Sequence, residues 1–208
     1  DDGYQHRWIK AGFNILITPY SYPYYKDSLM PVGNLRESKK GAERANAIVF
    51  SKTPENINPT LKKGMLERLH LFAHQKAYFS HINYCTWRCI STNKEFTSDQ
   101  KYSITLVSGI VNPKPLVEQL ENKGHTISQI TFKDHHSYTT YDAQKILAKY
   151  NADESAKKLI LTTEKDATKL RELLAHFEDA NFYYIPIDIA FSEQEIFDRQ
   201  ILNYVAKN

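Results

Sequence analysis

Short apolar runs alternate with amphipathic stretches along this chain. The runs fall at residues 13–18, 47–51, 77–84, 103–110, 127–132, 159–163 and 182–191. Strand-length apolar runs separated by helical patterns are the habit of α/β folds with a mainly parallel sheet. Helix ends are marked between them. Asn112-Pro113 places a capping residue before a proline, Leu116, Val117 and Leu120 share one helical face, and Gly124 fits the stop. Thr139 with Asp142, and Thr163 with Asp166, fit helix caps. Ser192 and Glu195 form a capping box ahead of Ile196, Phe197, Ile201, Tyr204 and Val205, so an amphipathic helix is expected over 192–208.

Residues 78–102 break the rhythm: they are polar and aromatic, hold both cysteines and keep no period. They are expected to form a two-stranded linker between a first α/β unit over 1–77 and a second α/β domain over 103–191.

The 208 residues are 41% hydrophobic and 25% charged, and no apolar run reaches the roughly 20 residues that cross a bilayer. The net charge of +3 is spread along the chain, which proposes no nucleic-acid partner but permits a phosphate-bearing one. Cys85 and Cys89 lack the further ligands of a zinc site and are expected as free thiols.

Chemistry gathers in a few blocks. Asp1-Asp2-Gly3-Tyr4-Gln5-His6 opens the chain with paired carboxylates, either hard-oxygen ligands for Mg²⁺ near phosphates or solvated coil. A P-loop needs two glycines five positions apart followed by Lys and Ser or Thr, and no two glycines here are so spaced. If Asp1 and Asp2 are the metal-binding end of such a site, the chain is a fragment whose phosphate cradle lay upstream. Met30-Pro31-Val32-Gly33-Asn34-Leu35-Arg36-Glu37 is a rigid turn that either aims Arg36 at phosphate or sets Glu37 at a helix start. The tyrosines at 20, 22, 24 and 25 fit loop packing better than stacking on a base or touching an acyl chain. Asp134-His135-His136 follows a strand, where ligands of open α/β sheets sit, and a carboxylate beside imidazoles can orient a proton carrier or hold a metal. In Gly109-Ile110-Val111-Asn112-Pro113, the prolines at 113 and 115 remove amide donors, which favours a structural turn over an anion hole.

In order and spacing, five blocks resemble the tetraacyldisaccharide 4′-kinases of lipid A synthesis, in their Bacteroidetes form. They are Asp1-Asp2-Gly3-Tyr4-Gln5-His6, Pro31-Val32-Gly33-Asn34-Leu35-Arg36-Glu37, Gly109-Ile110 with Pro113, Phe132-Lys133-Asp134-His135-His136, and Thr162-Thr163-Glu164-Lys165-Asp166-Ala167. Val32 and Asn34 replace the commoner Ala and Pro of the turn.

The resemblance implies a partial P-loop NTPase-like α/β/α unit and a second α/β/α domain, with the active site in the cleft. It implies an ATP- and Mg²⁺-dependent kinase that phosphorylates the 4′-hydroxyl of a lipid disaccharide phosphate at the cytoplasmic face of the inner membrane, with membrane contact through an upstream segment and no nucleic acid. Asp1 and Asp2 would hold the metal. Gln5, His6, Arg36 and Glu37 would serve nucleotide and substrate. His135, supported by Asp134, would be catalytic. Without the cradle the fragment alone is expected to be inactive. The alternatives are a metal-dependent phosphoesterase, against which the absence of any D-x-D pair counts, and a non-catalytic nucleotide- or partner-binding module.

Overall fold

A computed structural model describes residues 3–6, 8 and 11–207 of the chain, so Asp1 and Asp2 lie outside the described residues. The chain divides into two compact units, one of residues 1–83 with 188–208 and the other of residues 84–187.

In the first unit a four-stranded sheet runs in the order β1 (Ile15–Pro19), β2 (Ala47–Ser51), β3 (Lys76–Tyr84), β9 (Ile187–Phe191). The β1–β2 and β2–β3 pairs are parallel. Strand β2 is buried on both faces, which is why its sequence is a continuous apolar run. Ile48 and Phe50 pack with Phe79, Ala45 and Leu69, and helix α1 (Pro59–Glu67) adds Met65 and Leu66 on that side. Ala47 and Val49 face the other way with Tyr78, against Phe13, Phe191 and Phe197.

Phe197 belongs to α5 (Gln194–Val205), whose start corrects the capping box expected at Ser192 and Glu195. The Ser192 amide is spent on the Phe79 carbonyl, at 2.9 Å, so strand pairing carries past the expected cap and the helix begins at Gln194 without a side-chain cap. The inward face is also turned from the expected one. Phe197 packs on the sheet, Tyr204 meets the Phe13 ring at 5.3 Å, and Gln200 accepts from the Tyr78 hydroxyl, while Ile196 and Val205 are exposed.

The second unit is a five-stranded sheet in the order β4 (Arg88–Cys89), β8 (Phe182–Ile185), β7 (Lys158–Thr163), β5 (Ser103–Ser108), β6 (Thr126–Thr131). All its pairs are parallel except β4 with β8. Ile104 and Leu106 of β5 face α2 (Lys114–Asn122) through Leu116, Val117 and Leu120, whereas Val107 faces Ala143, Ile146 and Tyr150 of α3 (Thr140–Asn151). Helices thus cover both faces, and α4 (Glu164–Leu170) joins α3 through Ala167 and Leu170. Each large aliphatic side chain so buried contributes about 1.5–3 kcal/mol.

The run expected at 182–191 is two strands in different sheets. Pro186 separates β8 from β9: it has no amide to donate, and its carbonyl accepts the Cys85 amide at 2.9 Å. Helix α2 starts at Lys114, one residue later than expected; Asn112 still accepts the Lys114 amide at 3.2 Å, and Gly124, at φ +85°, ends the helix as expected. Cys85 and Cys89 are free thiols.

Candidate functional site

Strand β5 lies between β6 and β7, and the chain leaves it first toward β6 and then crosses back to β7. Such a reversal opens a crevice at the carboxyl ends of the strands. Three connections meet there: Gly109–Pro113 after β5, Phe132–Thr139 after β6, and Thr163 with the start of α4 after β7.

The floor of this edge is built by buried Asp166. Its Oδ2 accepts the Gly109 amide at 2.8 Å and the Thr163 hydroxyl at 2.7 Å, and Thr163 Oγ1 in turn accepts the Asp166 amide, capping α4. A Cβ at residue 109 would lie 2.9 Å from Asp166 Oδ1 and 3.2 Å from the Lys133 carbonyl, so only glycine lets the turn approach this closely. The Gly109 amide is engaged by a protein carboxylate, in keeping with a structural turn. The Tyr138 hydroxyl is enclosed beside this group. Burial, followed by the Asp166 charge, pushes its ionisation far above the ordinary range and keeps it neutral.

Above this floor, Thr139 and Asp142 form the expected capping box of α3. Asp142 Oδ2 also lies 3.0 Å from His136 Nε2, and the His136 ring stacks on Phe132. His136 is therefore held inward as part of the frame, and Lys169 Nζ donates to its carbonyl at 2.7 Å.

His135 turns outward. Its φ of +61° is left-handed, a conformation that costs an L-residue about 1 kcal/mol or more, and its side chain is 84% exposed. Asp134 Oδ1 accepts the His135 amide at 3.0 Å, and Asp134 Oδ2 lies 3.6 Å from His135 Nε2. The structure thus brings Asp134 and His135 together. It adds Lys165, whose ammonium pairs with Asp134 Oδ1. The Lys165 hydrogen bond, ahead of the opposing effect of burial, holds the Asp134 carboxyl below its ordinary value.

In the first unit, Gln5 and His6 are exposed in a turn closed by the His6 amide on the Gly3 carbonyl. Arg44 joins this turn to Glu37: its guanidinium donates to Glu37 Oε1 at 2.7 Å and to the Tyr4 carbonyl at 3.1 Å, and lies over the Tyr4 ring at 4.9 Å. Arg36 is exposed beside Glu37. The preceding loop is organised by buried Asp27, whose carboxylate accepts the amides of Ser28 and Asn34 and the Asn34 side chain. Tyr24 and Tyr25 pack on the core as loop residues, edge to face at 5.8 Å.

Neither Arg44 nor Lys165 is given a role by the sequence motifs. The signal for Lys165 is a long cation just past one strand when an acid stands just past another; for Arg44, an arginine seven residues beyond Glu37 has no local signature. Among the described residues no group of three or more His, Cys, Asp or Glu side chains is placed to hold a metal ion, and no helix is long and apolar enough to cross a membrane.

A family model described as tetraacyldisaccharide-1-P 4′-kinase matches residues 1–206. Among similar curated proteins, the tetraacyldisaccharide 4′-kinase of Cytophaga hutchinsonii is 39% identical, with 99% of this chain and 56% of that protein covered. That of Flavobacterium johnsoniae is 37% identical, covering 100% and 59%, and that of Bacteroides fragilis 34% identical, covering 100% and 58%. This chain therefore spans a little over half the length of these relatives. The crystal structure of LpxK from Aquifex aeolicus, in complex with ATP, matches with a TM-score of 0.63 at 23% identity, over 98% of this chain and 56% of that one, and shows the same fold.

Proposed function

Because this chain belongs to the tetraacyldisaccharide 4′-kinase family, we propose that it forms part of an ATP-dependent kinase that phosphorylates the 4′-hydroxyl of a tetraacyldisaccharide 1-phosphate in lipid A synthesis. The observation that carries this reading is the family match along residues 1–206. The Asp134–His135 pair at the carboxyl edge of a parallel sheet agrees with it.

In this reading His135, whose Nε2 faces Asp134, uses its other ring nitrogen, Nδ1, to steer the proton of the acceptor hydroxyl. Arg36 and Glu37 serve the nucleotide, and Arg44 fixes the direction of the Glu37 carboxylate. Gln5 and His6 belong to the same region of the first unit. Asp1 and Asp2 are the proposed magnesium ligands; two carboxylates are the hard oxygen donors that this ion takes, and when bound it neutralises charge on the phosphates. The proposed setting is the cytoplasmic face of the bacterial inner membrane.

The test joins this chain to the remaining part of the Flavobacterium johnsoniae relative and assays transfer of labelled phosphate from ATP to tetraacyldisaccharide 1-phosphate. Transfer is expected, with a loss of about 10²–10⁴-fold for His135→Ala. A folded chimaera that transfers nothing, beside an active parent enzyme, would overturn the proposal.

A further inference from the structure

Lys165 is the one charged side chain of the Asp134–His135 cluster that the proposed chemistry leaves without a task. It stands in the first turn of α4, after β7, while Asp134 stands after β6, and β5 separates the two strands. Two strand spacings are about 10 Å, a gap that only a long side chain bridges. Lys165 bridges it, and its ammonium meets the same Asp134 oxygen that accepts the His135 amide.

The consequence is geometric. A carboxylate held by one amide can still swing, whereas one held by an amide on its own loop and an ammonium from a separate helix has its plane fixed. The second oxygen, Oδ2, is then presented to His135 Nε2 at 3.6 Å. An imidazole this exposed has little packing to orient it, so the carboxylate is its guide. Among the described residues, Asp134 stands beside the ring and Lys165 pairs with Asp134; Lys133 and His136 flank the ring in the chain, Glu164 flanks Lys165, and His136 is turned to Asp142.

We propose that Lys165 is a positioning residue for this site: it anchors the Asp134 carboxylate from the neighbouring helix and thereby orients the His135 ring, without itself touching substrate. The inference rests on the proposed catalytic role of His135.

The test reads the orientation of the His135 ring from side-chain coupling constants and ring-to-backbone NOEs in the 208-residue chain. With Lys165→Met the Asp134 carboxylate loses its anchor on the helix side, and the His135 side-chain couplings are expected to fall to rotamer-averaged values. Lys165→Arg keeps a long cation and should keep the couplings of the original chain, whereas Asp134→Asn should average them. In the Asp134→Asn background, Lys165→Met should add less than about half of the change in couplings that it makes in the original chain, because the lysine acts through the carboxylate. Couplings that stay unaveraged in Lys165→Met, or an undiminished change in the Asp134→Asn background, would overturn the proposal. The catalytic reading fails separately: if His135→Ala keeps full activity in the chimaera, that role is lost, while the coupling cycle still decides whether Lys165 positions the ring.

Discussion

The buried carboxylate of Asp166 accepts the Gly109 amide at 2.8 Å, tying the start of α4 to the turn that follows β5. Asp166→Ala would leave that amide and the Thr163 hydroxyl without their acceptor. A loss of about 2–4 kcal/mol is expected in urea unfolding, with midpoint and slope both measured. A loss under about 0.5 kcal/mol would show that the edge is held together by packing alone.

Asp142 caps α3 and also engages His136. Burial alone would raise its pKa, but the hydrogen bonds from His136 and from the Thr139 hydroxyl and amide outweigh burial and hold it below 3.8. A depressed carboxyl stabilises the fold fully above its ordinary value and loses that contribution as pH falls through the depressed one. Asp142→Ala should therefore cost about 1–2 kcal/mol near neutrality. The difference from the original chain should shrink only below about pH 4, as read from urea midpoints across pH.

Gly33 is fixed by close approach. A Cβ there would lie 2.3 Å from both Asp27 Oδ1 and the Ser28 carbonyl, and the backbone carbonyl cannot rotate away as a flexible side chain could. Gly33→Ala should cost about 1–3 kcal/mol and displace the amide resonances of Arg36 and Glu37. Unchanged resonances would mean that the Asp27 loop does not set the direction of these two residues.

Cys89 is expected to react early. Burial raises its thiol, but hydrogen bonds with Ser91 and Thr92 outweigh this and bring it from 9.0 down to about 7. Iodoacetamide labelling mapped by mass spectrometry should give a half-maximal rate near that pH for Cys89, since the thiolate is the reacting form. The double substitution Ser91→Ala, Thr92→Ala should move the midpoint upward; an unmoved midpoint would remove those hydrogen bonds as the cause.

Much of this architecture is local and could be read from the chain. Thr139 and Asp142 lie three residues apart, and the box they form depends only on the backbone between them. Gly124 ends α2 because its own left-handed backbone carries no Cβ penalty. The failures occur where a distant partner competes for the same group. Ser192 would suit a cap, but β3 takes its amide first. Residues 182–191 read as one apolar run because apolarity does not reveal which sheet a residue joins; Pro186 divides the run.

The alternation of strands and helices, the caps of α3 and α4 and the location of Asp134-His135 just past a strand were determined by the sequence alone, since each depends on residues within a turn or two of one another. Strand order decided the rest. Lys165 and Asp134 are 31 residues apart, and Gly109 and Asp166 are 57 apart; they meet because β5 is flanked by β6 and β7. That order follows from burying both faces of the sheet beneath α2, α3 and α4, a requirement of the whole unit that no short window of sequence contains.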